Sequence, residues 1–183
     1  MKKRILILTI ALLSAAFVSA QNFTLKSNDL GGQATLRMYY NSFGYSGQNI
    51  SPELHWMNAP EGTKSFAVTM YDKDAPTGSG FWHWVIFNIP ASVTELKSNA
   101  GDITANIAPP EAIQSITSFG KTGYGGPAPN PGPAHEYLIT VYALKNTLNL
   151  DKNTNPELVG FNLYNNTLAR ASLVVYGGTN PLK

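Results

Sequence analysis

Asp72 and Asp74 stand two residues apart at the end of an apolar run, residues 65–71, and His83 follows inside Phe81-Trp82-His83-Trp84. Only 13% of the chain is Asp, Glu, Lys or Arg, so two carboxylates attached to a segment built for burial require partners. In an extended chain side chains at i and i+2 share a face, which sets both acids on one side. A second imidazole, His135, precedes the apolar run 137–144 and by the same rule shares a face with Tyr137. Carboxylates, imidazoles and a phenol brought together can hold an anion, move a proton or ligate a metal. Each also has a structural role open to it, the histidines as hydrogen-bonded core residues and the acids as shapers of the Ala75-Pro76 turn. The residues alone leave these alternatives open.

Between the two groups runs a segment of unusual composition. Residues 120–133 contain five glycines and four prolines in fourteen positions, so they form neither a helix nor a central strand. Prolines restrict such a backbone while glycines permit close approach, a combination able to aim peptide N–H groups at an anion. Loops of this length are more often functional than filler, and this one leads directly into His135 and Tyr137.

The elements that must position these residues read as strands. Apolar runs are short, rich in β-branched and aromatic residues, and separated by Gly, Pro, Asn and Ser; the clearest span 65–71, 83–89 and 137–144. Val85-Ile86-Phe87, apolar on both sides, suits a central strand covered on each face, whereas residues 34–40 read as a half-buried edge strand. The expectation is an all-β antiparallel sandwich. A parallel α/β sheet would need helical crossovers that the Gly- and Pro-rich connections do not supply. One helix is expected near the C-terminus, from Phe161, Asn165, Leu168, Ser172 and Val175 at intervals of three and four between Pro156 and Gly177-Gly178. Asn162, Asn165 and Asn166 are expected on its polar outer face.

Composition narrows the functional classes. Residues 1–20 carry a basic start, a short apolar stretch and Val18-Ser19-Ala20, the pattern of a secretory signal peptide rather than of a membrane span. Residues 21–183 then form one domain, periplasmic or secreted. Removing the leader takes three of the 13 basic residues and leaves 10 against 11 acids, a net charge of −1. With no basic cluster left, no nucleic acid partner is expected. The absence of cysteine excludes disulfides, thiolate metal sites and a cysteine nucleophile.

Asp72-x-Asp74-Ala75-Pro76, Trp82-His83-Trp84 and Gly132-x-x-His135-x-Tyr137, together with Asn49-Ile50-Ser51-Pro52-Glu53-Leu54-His55-Trp56, resemble the phosphatidylethanolamine-binding protein family, also called Raf kinase inhibitor protein-like proteins. The resemblance runs in order along nearly all of residues 21–183 and is nearest to the bacterial branch in loop content. It implies a Greek-key β-sandwich with a small pocket for phosphate or a phospholipid head group, without metal or cofactor. Asp72, His83, His135 and Tyr137 would line that pocket, Asp74 would support it, and Trp82, with the acids, would receive an ammonium group. It further implies a cis peptide at Ala75-Pro76. A carboxylate beside a phosphate is physically reasonable where Asp72 accepts a hydrogen bond from His83 and so favours the charged imidazole. Lys73 where proline is common, Trp84, and the order of Pro and Gly in 125–133 depart from the family pattern and bear on partner specificity.

Three functions follow as expectations. The first is an exported, non-catalytic binding protein for a small anion or phospholipid head group. The second is a protease inhibitor or other protein-interaction module, for which an exposed apolar patch near Phe81 and Trp82 would speak. The third is a hydrolase using His83 or His135 as base and Asp72 as orienter, or a His/Asp metal site. It lacks the sequence context of a nucleophile elbow or a zinc helix.

Overall fold

Apolar alternation produces eight strands and one helix among the described residues: β1 Thr24–Lys26, β2 Leu54–Met57, β3 Ser65–Asp72, β4 Phe81–Pro90, β5 Glu95–Leu96, β6 Ile113–Gln114, β7 His135–Leu144, α1 Pro156–Asn166 and β8 Thr167–Gly177. The computed structural model describes residues 22–181; the leader expected over residues 1–20 lies outside them. A three-stranded sheet in the order β1-β2-β5 faces a five-stranded sheet in the order β6-β4-β3-β7-β8. All pairings between these strands are antiparallel. β3 sits at the centre of the large sheet, between its hairpin partner β4 and the distant β7, the long return that a Greek key requires.

The two-sided burial expected of Val85-Ile86-Phe87 is present. Ile86 enters the core between the sheets with Trp56, Phe66, Met70, Trp84 and Ile139, while Val85 and Phe87 enter a second core under α1 with Ala67, Val159 and Leu163. Burying each such side chain contributes about 1.5–3 kcal/mol. This double layer fixes β3 and β4 from both faces, so the polar residues at their ends inherit a rigid support.

Residues 34–40 do not form the edge strand expected of them. Met38 N–H and Tyr39 N–H both donate to Thr35 O, closing a helical turn that buries Met38 and Tyr39 in succession. Successive burial is a turn's pattern, not a strand's. The C-terminal helix is also shorter than expected. α1 starts at Pro156, where Asn155 accepts from Leu158 N–H at 2.8 Å as N-cap, and ends at Asn166. Its buried stripe is Pro156, Val159 and Leu163, whereas Phe161 and Tyr164 point outward, 64% and 85% exposed. Leu168, Ser172 and Val175 belong to β8 instead. From Thr167 onward the exposed and sheltered positions alternate, and this period of two, with the β-branched pair Val174-Val175, prevails over the three-and-four spacing. Asn165 is exposed as expected; Asn162 and Asn166 are only part-exposed and donate their side-chain amides back to Leu158 O and Asn162 O.

Candidate functional site

A single irregularity in β4 builds the site. The register between β3 and β4 shifts so that Met70 faces Trp84 and Tyr71 faces Trp82, leaving His83 as the extra residue of a β-bulge. His83 and Trp84 therefore emerge in succession on the inner face, Trp84 into the core and His83 against Tyr137, at a centroid distance of 5.1 Å and 83°. Trp82 is turned to the opposite face, toward the core under α1.

Asp72 ends β3 and pairs in register with Tyr137 of β7. Its buried carboxylate is fully engaged: Oδ1 accepts from Asp74 N–H at 2.9 Å and Oδ2 from His135 Nδ1 at 2.7 Å. A carboxylate in this position is tolerable because both oxygens are satisfied. The hydrogen bond expected between Asp72 and His83 is absent. His83 Nδ1 lies instead 2.8 Å from Gly125 O and 3.0 Å from Gly126 O; two carbonyl acceptors require that Nδ1 carry the proton. Nor is the ring charged at neutral pH. Burial holds its pKa down at about 4, against the opposing pull of the two carbonyls and Asp72. The packing explains this: Phe81 and Phe119 lie 5.2 Å from the imidazole centroid, and Tyr137 closes a third side.

At Gly125 and Gly126 the Gly/Pro loop meets the site through carbonyls. Gly125 N–H donates to His83 O at 2.9 Å, Gly126 N–H to Asn49 Oδ1 at 2.8 Å and Tyr124 N–H to Gly101 O at 2.9 Å. Those amides are spent within the protein. Asn49, at a left-handed φ of 55°, also donates through Nδ2 to Tyr124 O at 3.1 Å and so clamps the loop from two sides. Its role was visible only as part of the Asn49–Trp56 motif.

Asp72, His83 and His135 line a cavity of about 160 Å³, together with Ala75, Pro76, Thr77, Phe43, Phe81, Phe119, Ala128 and Asn130. Three of the six residues singled out in the sequence thus converge on one space. Tyr137 lies behind them, wholly buried; its hydroxyl faces Asp72 and the Ala128 backbone without completing a hydrogen bond among the described residues. Burial, reinforced by the Asp72 charge, raises its pKa well above the ordinary phenol value. Asp74 is set outside the cavity. Its Oδ2 accepts from Glu136 N–H at 2.8 Å and its Oδ1 from Lys73 at 2.9 Å, and Lys73 reaches Glu136 at 3.2 Å. The Glu136 amide and then Lys73 hold the Asp74 carboxyl below its usual range. Asp74 thereby ties the end of β3 to the start of β7.

The phenylalanine rim was not legible beforehand except at Phe81. Phe43 and Phe119 come from distant segments and meet at 5.8 Å, with the Tyr40 ring tilted at 4.6 Å from Phe119. Phe43 adopts a left-handed φ of 56° and is 67% exposed. The turn beside it is formed without a cis bond: no cis peptide occurs among the described residues, so Ala75-Pro76 is trans. Reversal is achieved by Asp72 capping Asp74 N–H, a tight turn from Thr77 N–H to Ala75 O at 2.8 Å, and left-handed Gly78 and Gly80. Among the described residues no helix is long and apolar enough to cross a membrane, and no three His, Cys, Asp or Glu side chains gather as a metal-holding group.

Residues 26–177 match a family model described as phosphatidylethanolamine-binding protein. Protein YbhB of Escherichia coli (strain K12) is 47% identical over 153 residues, covering 81% of this chain and 96% of YbhB. YbcL of the same organism is 42% identical over 175 residues, 93% of this chain and 96% of YbcL. The crystal structure of YbcL, described as a new member of the mammalian PEBP family, aligns with a TM-score of 0.85 at 43% identity over 87% of this chain and 100% of that one. A Chlamydia trachomatis homologue, CT736, shares the fold at 23% identity and a TM-score of 0.71, over 87% and 99%.

Proposed function

Since this chain belongs to the phosphatidylethanolamine-binding protein family, we propose that the cavity of Asp72, His83 and His135 binds a phosphate monoester or phospholipid head group, without catalysis, in a protein exported from the cytoplasm. The observation that carries this reading is the 2.7 Å bond between Asp72 and His135 at the edge of a cavity that His83 also lines. With Nδ1 held by Asp72, His135 is left with Nε2 to serve as donor to a phosphate oxygen. His83 has its Nδ1–H on backbone carbonyls, so Nε2 is left as an acceptor. One donor and one acceptor suit a singly protonated phosphate monoester, whose P–O⁻ receives from His135 and whose P–OH gives to His83; the phosphodiester of a phospholipid head group has no P–OH and would engage His135 alone.

No lysine or arginine lines this cavity, and much of its wall is phenylalanine. That composition favours an ester with an organic substituent over a bare, doubly charged phosphate. Neither imidazole holds a serine or threonine hydroxyl among the described residues, so the arrangement serves recognition better than hydrolysis. Export rests on the basic and apolar pattern of residues 1–20, and detection of a mature chain beginning near Gln21 in a periplasmic or culture fraction tests it. The binding reading is tested by calorimetry with O-phosphorylethanolamine on the intact protein and on His135→Ala. A saturable heat weakened at least tenfold by the substitution is expected; equal affinity in both proteins would remove the proposed site.

A further inference from the structure

The large sheet has a second recess on its opposite face. α1 covers Ala67, Val85 and Phe87 through Val159 and Leu163, and alongside it a groove of about 760 Å³ stays open. Tyr71 of β3, Trp82 of β4 and Tyr142 of β7 contribute aromatic surface from the sheet; Glu157 and Tyr164 of α1 and Arg170 of β8 flank them. The bulge at His83 is what sends Trp82 here, so the tryptophan singled out in the sequence serves this groove and not the anion cavity. Trp56 and Trp84 are completely buried, which leaves Trp82 as the part-exposed tryptophan.

Two features suggest a ligand surface and not an accident of packing. Gly160 stands over the Trp82 indole, and a methyl group built there would meet Cη2 and Cζ2 at 3.8 Å, an ordinary contact. Alanine would therefore fit and would favour the helix by about 1 kcal/mol; glycine leaves the indole uncovered. Second, most of the polar groups around the rings have no partner among the described residues. The Tyr71 hydroxyl is held by Ser79 O at 2.7 Å, with its ring 4.7 Å from that of Trp82. In contrast the hydroxyls of Tyr142 and Tyr164 donate to nothing among the described residues. Among the described residues, Arg170 and Glu157 enter no ion pair, with each other or with any other charge.

We infer that this groove is a second binding site, for a short saccharide. Flat aromatic faces receive the C–H faces of pyranose rings, a carboxylate accepts from ring hydroxyls, and a guanidinium donates to two of them at once. The mixture of acid, base and aromatic surface selects this class. A purely apolar ligand would leave Arg170 and Glu157 unused, and a proline-rich segment, with no N–H at its prolines, would give Glu157 little to accept.

Maltotriose and N,N′,N″-triacetylchitotriose, titrated separately into the intact protein, test this through Trp82 fluorescence and amide NMR shifts. A saturable response to at least one sugar is expected, with affinity weakened at least tenfold in Arg170→Ala and in Glu157→Gln, both exposed positions whose replacement spares the core. His135→Ala should leave the response unchanged, which separates this site from the anion cavity. Silence with both sugars, a response untouched by both groove substitutions, or saturable binding of decaproline in their place would overturn the assignment.

Discussion

Asp72 pairs in register with Tyr137, so His135 lies diagonally across from it, two residues along β7 and on the same face. Diagonal neighbours in an antiparallel sheet are within reach of long side chains, and here the reach becomes a 2.7 Å hydrogen bond. The backbone ladder itself thus sets the geometry of the dyad. Asp72→Asn keeps the shape but replaces the carboxylate that accepts from His135 Nδ1 with a neutral amide. Affinity for O-phosphorylethanolamine is expected to fall at least tenfold, and nitrogen NMR should show the His135 ring leaving its Nδ1–H form. An unaltered ring together with unaltered affinity would dissociate Asp72 from binding.

The acceptor role of His83 makes binding depend on the ligand's own proton. A phosphate monoester loses that proton with a second pKa of about 6, after which a doubly charged oxygen faces an imidazole that can give nothing through Nε2. Affinity should decline as pH rises from 6 to 8. Calorimetry across that range checks the sign, and an affinity that increases with pH would mean that His83 does not act as acceptor.

His83 also makes stability depend on pH. Its folded pKa of about 4 lies below the ordinary 6.5, so between these values the unfolded chain binds the extra proton. Stability is then full above about pH 6.5 and is lost as pH falls toward 4, by roughly 3 kcal/mol for a shift of this size. His83→Asn retains a donor for the two carbonyls and does not titrate. Urea unfolding should show a shallower loss of stability between pH 7 and pH 4 in the variant; parallel curves would contradict the buried, neutral ring.

Regular alternation and composition were enough to indicate the sandwich and the two-sided burial of Val85-Ile86-Phe87, whereas the meeting of Asp72 with His135 was legible only through the family resemblance. The partner of His83 was not legible, because a bulge is one extra residue with no signature of its own in Phe81-Trp82-His83-Trp84. That same bulge separates Trp82 from Trp84, which simple alternation would place on one face. In the C-terminal segment, Leu168 and Val175 satisfy a helical spacing as readily as a strand's, and only pairing with β7 decides. The phenylalanine rim depends on contacts between segments about eighty residues apart, which no local pattern encodes.

Tyr137 separates a supporting role from a contacting one. Its hydroxyl is buried without a completed hydrogen bond, so removing it sheds an unsatisfied group. Tyr137→Phe is expected to leave stability unchanged or to raise it by up to about 1 kcal/mol, with phosphorylethanolamine affinity within threefold of the parent. A tenfold loss of affinity at full stability would instead make the hydroxyl a direct ligand contact.

Gly126 joins the loop to the site through three independent constraints. Its N–H donates to Asn49, its carbonyl accepts from His83, and a Cβ there would collide with Met38 O and with the Tyr39–Tyr40 backbone. Backbone atoms cannot step aside as a flexible side chain can, so Gly126→Ala must displace the carbonyls that cradle His83. A loss of at least about 2 kcal/mol is expected, in the range of overpacked interiors. Gly120 provides the contrast: it is left-handed at φ 70° but has open space where a Cβ would stand, so Gly120→Ala should cost only about 1 kcal/mol, the conformational strain alone. Denaturant unfolding of the two variants side by side measures the difference, and equal losses would show that the close approach at Gly126 does not hold the loop in place.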